Sequence, residues 1–79
     1  MARAIIRYSM NGEKSNETGN AVGKILKDAY FVKAGRTACY EADGVSAVEA
    51  VKAIKRALDL LATPPGGGRP DHVWVYVDR

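Results

Sequence analysis

The chain has 79 residues, a formal net charge of +3 and a single cysteine, Cys39, which excludes an internal disulfide and any Cys-pair zinc or redox motif. A chain this short forms one domain and buries only about 60% of the surface its unfolded form exposes, so its core is thin. Its hydrophobic share of 47% and charged share of 27% are those of an ordinary folded protein, and no apolar run nears the ~18 residues that span a bilayer.

From Met1, Ala2 and Arg3 the chain passes straight into alternating residues rather than a signal-peptide core, so a cytoplasmic protein is expected. Over residues 3 to 10, Ala4, Ile6, Tyr8 and Met10 point one way and Arg3, Ile5, Arg7 and Ser9 the other, the pattern of a strand with one apolar face. Asn11 to Gly19 hold turn formers and no periodic apolar residue, and read as a polar loop. From about Asn20 the period changes. Val22, Ile25, Leu26 and Ala29 line one side of a short amphipathic helix, with Lys24, Lys27 and Asp28 outside. No glycine stands at its end near Tyr30 or Phe31 to take the usual left-handed position.

Phe31 to Lys33 read as a strand, Ala34 and Gly35 as a turn or bulge, and Thr37 to Ala42 as a further strand, so a hairpin and one long bent strand both fit. Cys39 is expected as a small buried hydrophobe. Ser46, followed three residues later by Glu49, is a capping box that opens a second helix, each side chain satisfying an amide of the first turn. Val48, Val51, Ile54, Leu58 and Leu61 recur at steps of three and four and are expected to face the core, with Glu49, Lys52, Arg56 and Asp59 opposite. Pro64 and Pro65 end the helix, and Gly66, Gly67 and Gly68 read as a flexible link. In the last strand, His72 to Asp78, the residues Val73, Val75 and Val77 face one side and His72, Trp74 and Tyr76 the other.

Strand, helix, two strands, helix, strand is the order of a split βαβ unit: an α+β, ferredoxin-like βαββαβ sandwich with an antiparallel sheet and both helices on one face, spanning 1–79 as a single domain. The valines and helical stripes then make the core. The other sheet face, with Ile5 between Arg3 and Arg7, and with Trp74 and Tyr76, is left bare and asks for a partner. A homodimer that buries Ile5, Trp74 and Tyr76 is the first expectation. Stacking of Trp74 and Tyr76 on unpaired bases, with Arg3 and Arg7 on phosphates, is the second.

Several short patterns carry a family resemblance over nearly the whole chain. Ile5, Ile6, Arg7, Tyr8 and Ser9, then Gly35, Arg36, Thr37, Ala38, Cys39, Tyr40 and Glu41, then His72, Val73, Trp74, Val75 and Tyr76 resemble strands of the VapD-like ribonucleases and of the second core CRISPR-associated (Cas) protein. The resemblance implies a small dimeric ferredoxin-like protein that handles RNA or DNA; in this chain the expected nucleic-acid contacts are Arg3, Arg7, Lys14 and Arg36, from its polar loop and basic groups. It also implies metal-dependent phosphodiester cleavage with a cation such as Mg2+, centred on an acid at the end of the first strand. Here that position is Ser9, a poorer ligand for a hard cation than a carboxylate. Cleavage is thus expected to be impaired unless Glu41 or Asp43 approaches Ser9. Ser9, His72 and Asp71 are a further set of nucleophile, base and orienter whose spacing does not show that they meet. The rival expectation is a non-enzymatic interaction module that dimerises through its open sheet face. A third option is a small-molecule-binding domain.

Overall fold

The computed structural model describes residues 1–35 and 38–78. Arg36 and Thr37, which fall in the expected nucleic-acid and strand assignments, lie outside the described residues. The elements follow in the order β1 (Ala2–Asn11), α1 (Glu17–Asp28), β2 (Val32–Lys33), β3 (Cys39–Val45), α2 (Ala47–Ala62) and β4 (Arg69–Asp78). They form one four-stranded antiparallel sheet of order β2-β3-β1-β4, with the two helices packed together. This is the ferredoxin-like α+β arrangement, and β2 and β3 form a hairpin rather than one bent strand. Among the described residues no helix is long and apolar enough to cross a membrane.

Alternation in β1 does what its pattern requires. Ala2, Ala4, Ile6 and Tyr8 are buried, and the last three join Val22 and Leu26 of α1 in one core with Phe31, Tyr40, Ala42, Ile54 and Leu61. The first helix starts earlier than the apolar period suggests, at Glu17, because its opening turn is mostly solvent-facing and needs no periodic apolar residue. Its end resolves the missing glycine. Tyr30 itself adopts the left-handed conformation, at φ 70°. Its amide donates to the Lys27 carbonyl at 3.0 Å, and the Phe31 amide donates to the Leu26 carbonyl at 2.9 Å. That pair of bonds is a Schellman closure, and it drives Phe31 into the core.

A tyrosine side chain disfavours left-handed backbone by about 1–2 kcal/mol. The Tyr30 ring is largely exposed, so it recovers little of that cost by packing. Tyr30→Gly is therefore expected to stabilise the fold by about 1 kcal/mol, read as a rise in the urea midpoint without a change in slope. A loss of stability would mean that the ring packs on something the fold depends on.

The second helix departs most from its sequence pattern. Ser46 caps it by accepting the Glu49 amide at 3.4 Å, while the Glu49 carboxylate turns to Lys52 Nζ at 3.7 Å. Its buried side is Ala50, Ala53, Ile54, Ala57 and Leu61. Ile54 and Leu61 face the core as expected, but Val48, Val51 and Leu58 do not, with 61%, 51% and 38% of their surface exposed. Both stripes have helical period. The alanine stripe wins because α2 packs against α1 as well as the sheet, and short side chains let those backbones approach where valines would hold them apart.

The outer strand shows the matching defect. Val77, Val75 and Val73 lie opposite Ala4, Ile6 and Tyr8, on the helix side as expected, yet 37–41% of each remains exposed. They are a margin of the core, not its centre. Cys39 is likewise only half-buried, on the bare face opposite Arg7.

The expected flexible glycine link is instead a docked connection. Gly66 is buried, its amide donates to Thr18 Oγ1 at 3.0 Å, and its carbonyl accepts the Lys14 amide at 3.1 Å. Thr18 is the one buried polar residue among those described. Its hydroxyl ties the loop before β4 to the start of α1.

Candidate functional site

Three groups of side chains with chemistry to offer occupy different parts of the sheet. On the bare face, Arg3 lies opposite Asp43 and Asp78, Ile5 opposite Glu41 and Tyr76, Arg7 opposite Cys39 and Trp74, and Ser9 opposite His72. The cations in this array are already engaged. Arg3 donates to Glu41 Oε1 at 3.2 Å, and the Arg7 guanidinium sits 5.4 Å from the centre of the Trp74 ring, a cation–π contact. Trp74 and Tyr76 stack with centroids 6.1 Å apart and planes 6° off parallel. The Tyr76 hydroxyl donates to Asp78 Oδ2 at 3.0 Å, and this bond raises the Tyr76 pKa. Arg3 and Arg7 are thus balanced by Glu41, Asp43 and Asp78 on the same face, a poor field for a polyanion.

The second group does meet. At the end of β1, Ser9 Oγ lies 3.0 Å from His72 Nδ1 and 3.4 Å from Asp71 Oδ2, to which it donates. A register shift between Ser9 and Met10 makes Asp71 a bulge residue, and the bulge brings three consecutive-strand groups together that plain alternation would separate. The arrangement is not that of a hydrolytic relay. There the carboxylate holds one ring nitrogen and the serine the other, whereas Asp71 Oδ2 approaches the same Nδ1, at 3.9 Å. The His72 and Asp71 side chains are also more than half exposed.

Glu41 and Asp43 are not part of that cluster. Glu41 pairs with Ile5 and Asp43 with Arg3, so Glu41 is displaced from Ser9 by four residues of strand, roughly 13 Å, and Asp43 by more. Among the described residues no three His, Cys, Asp or Glu side chains converge as a metal centre. Lys14 sits exposed in the loop beyond β1, its amide held by the Gly66 carbonyl.

The third group is a cleft that the linear sequence does not reveal. Lys24 and Lys27 of α1 and Lys33 of β2 border it with Glu13 and Asp28, and Tyr8 and Tyr40 lie in its wall. Gly23 makes room there, because a Cβ at that position would come within 2.9 Å of the Tyr40 hydroxyl. Burial, then the neighbouring Tyr40 and Glu13, pushes the Tyr8 phenol up to about 12, and burial raises Tyr40 as well. Both phenols are therefore neutral hydrogen-bond donors at ordinary pH.

Since the folded state holds Tyr8 above its ordinary value of 10.0, stability is intact below pH 10 and falls as pH rises from about 10 to about 12. The loss from this group is roughly 2 kcal/mol. Tyr8→Phe should shift the alkaline unfolding midpoint upward in a pH titration followed by circular dichroism. An unchanged midpoint would place the alkaline transition elsewhere. Compared with known proteins, the chain matches no family model, no curated protein and no solved structure.

Proposed function

We propose that the domain is a non-enzymatic protein-interaction module. The observation that carries this reading is the amount of apolar surface left uncovered on α2 and on both faces of β4. Val48, Val51 and Leu58 of α2, the three valines of β4, and Trp74 with Tyr76 all stand at 37% exposure or more. Uncovered apolar side chains in that number mark contact with another protein. The charges on the sheet face support the same reading, because they neutralise one another instead of presenting a basic platform.

One observation favours the second reading, a nucleic-acid-associated protein like the VapD-like ribonucleases. Lys24, Lys27 and Lys33 gather at the cleft with two phenol donors, and a phosphate would suit that set. Glu13 and Asp28 share the rim and offset two of the three lysines. Titration of labelled single-stranded RNA, with and without Mg2+, separates the readings. The interaction module should bind it no tighter than about 10⁻⁴ M at physiological salt, the loose end of non-specific association. Binding well below that value, lost in Lys24→Glu or Lys27→Glu, would overturn the proposal in favour of the second reading.

A further inference from the structure

We infer that the partner is a second copy of this chain, joined edge to edge along β4 in a two-fold register centred on Val75; this rests on the interaction-module reading. Main-chain direction decides which groups of β4 face outward. The Tyr8 amide donates to the Ala38 carbonyl at 3.0 Å, so the even residues of β1 turn their main-chain groups toward β3, and Arg3, Ile5, Arg7 and Ser9 turn theirs toward β4. The β4 residues opposite these, His72, Trp74, Tyr76 and Asp78, point their main-chain groups inward. Val73, Val75 and Val77 therefore present their N–H and C=O groups to the outer edge, where no described strand lies.

Edges are ordinarily protected by charge, proline, bulges or brevity. The opposite edge, β2, is two residues long. On β4 the protective features stand at its ends, with Arg69, Pro70 and the Asp71 bulge at the start and Asp78 at the close. From His72 to Val77 the strand carries no Asp, Glu, Lys or Arg, and both of its faces are apolar. An open edge, an apolar upper face and an aromatic lower face together suit one occupant, another strand.

Side-chain complementarity selects the copy and its register. Antiparallel pairing of β4 with itself requires outward residues to meet outward residues. With the dyad at Val75, the midpoint of 72–78, Val75 meets the partner's Val75 and Val73 meets the partner's Val77. On the other face Trp74 meets the partner's Tyr76, extending the existing ring stack, and His72 meets the partner's Asp78, a complementary pair when the imidazole is protonated. The neighbouring dyads are worse. Centring on Trp74 sets Asp71 against the partner's Val77, and centring on Tyr76 sets Trp74 against the partner's Asp78. The Val75 register also extends the β4 valines into the partner's, on the side where α2 packs against β4.

Disulfide trapping tests the register directly. In a Cys39→Ala background, Val75→Cys places two thiols on the dyad with Cα atoms about 5.5 Å apart, inside the range a disulfide spans. Mild oxidation should yield a covalent dimer. Val73→Cys alone should not cross-link, because its counterpart is four residues away along the edge, but a mixture of Val73→Cys and Val77→Cys chains should. Val75→Pro supplies an independent variant: its amide points outward, so the chain's own ladder is kept, while edge pairing is lost. Sedimentation should show a wild-type dimer and a folded Val75→Pro monomer. A dimer that survives Val75→Pro and cross-links through Ile5→Cys would overturn the edge inference and leave the interaction-module reading standing on the sheet face. A wild-type monomer with no Val75→Cys cross-link would overturn self-association, and the RNA titration then decides whether the broader reading also falls.

Discussion

Truncating Leu26 to alanine is expected to remove about 3–4 kcal/mol of stability. Leu26 is fully buried between the helices and the sheet, and its carbonyl closes the end of α1 by accepting the Ala29 and Phe31 amides. The main-chain bonds survive the substitution, so the loss is that of transfer and cavity. A domain of this length has a total stability of roughly 4–12 kcal/mol, which makes a single truncation enough to leave it poorly folded at 37 °C. Leu26→Met, nearly equal in volume, should cost less than about 1.5 kcal/mol. Val51→Ser offers the contrast. It removes a branched apolar side chain of α2 but from an exposed position, and at protein concentrations where the chain is monomeric it should change stability by no more than about 0.5 kcal/mol. Equal losses at Leu26 and Val51 in urea melts would mean that α2 is rotated from the orientation described.

Gly68→Ala is expected to cost about 2–4 kcal/mol, for two reasons that add. The backbone at Gly68 has φ 78°, and a Cβ there would sit 2.7 Å from the Asn11 carbonyl oxygen and 2.9 Å from the Glu13 amide nitrogen. Both obstacles are main chain and neither can swing aside. Gly67, next to it, has φ 77° but nothing within 4 Å of the added carbon, so Gly67→Ala should show only the conformational cost of about 1–2 kcal/mol. For a domain of this size each kilocalorie is worth about 4–8 °C in melting temperature, so the two variants are separable in a single set of thermal scans. If they melted together, the close approach of the loop before β4 to the loop after β1 would not exist in solution.

That close approach sets the position of the Ser9, Asp71 and His72 cluster, because the docked glycines deliver the chain into β4 just before the bulge. The cluster was nameable from residue types alone. Its meeting was not, since it depends on a one-residue register shift between strands far apart in sequence. The Ser9 to Glu41 and Asp43 separation is likewise a matter of register: both acids belong to the strand beside β1, but at its other end. The lysine cleft was not legible along the chain, where Lys24 and Lys27 stand on the outer side of a helix and Lys33 in a strand. Lys24, Lys27 and Lys33 became a site candidate once the hairpin folded back beside α1, with Tyr8 and Tyr40 between them.

Within each element, the sequence by itself determined which residues share a side, because strand and helix periods are properties of the local chain. The alternation of β1, the valine and aromatic faces of β4, the Ser46 cap and the order of elements that leads to the ferredoxin-like sheet all follow from it. The tertiary structure alone decided which of two periodic stripes α2 buries, how far the β4 valines are covered, and that the triple glycine is a docked connection. Burial depends on the width of the opposing layer and on how closely backbones can approach. In this chain alanines permit the closer approach, and the displaced valines and leucine are left exposed.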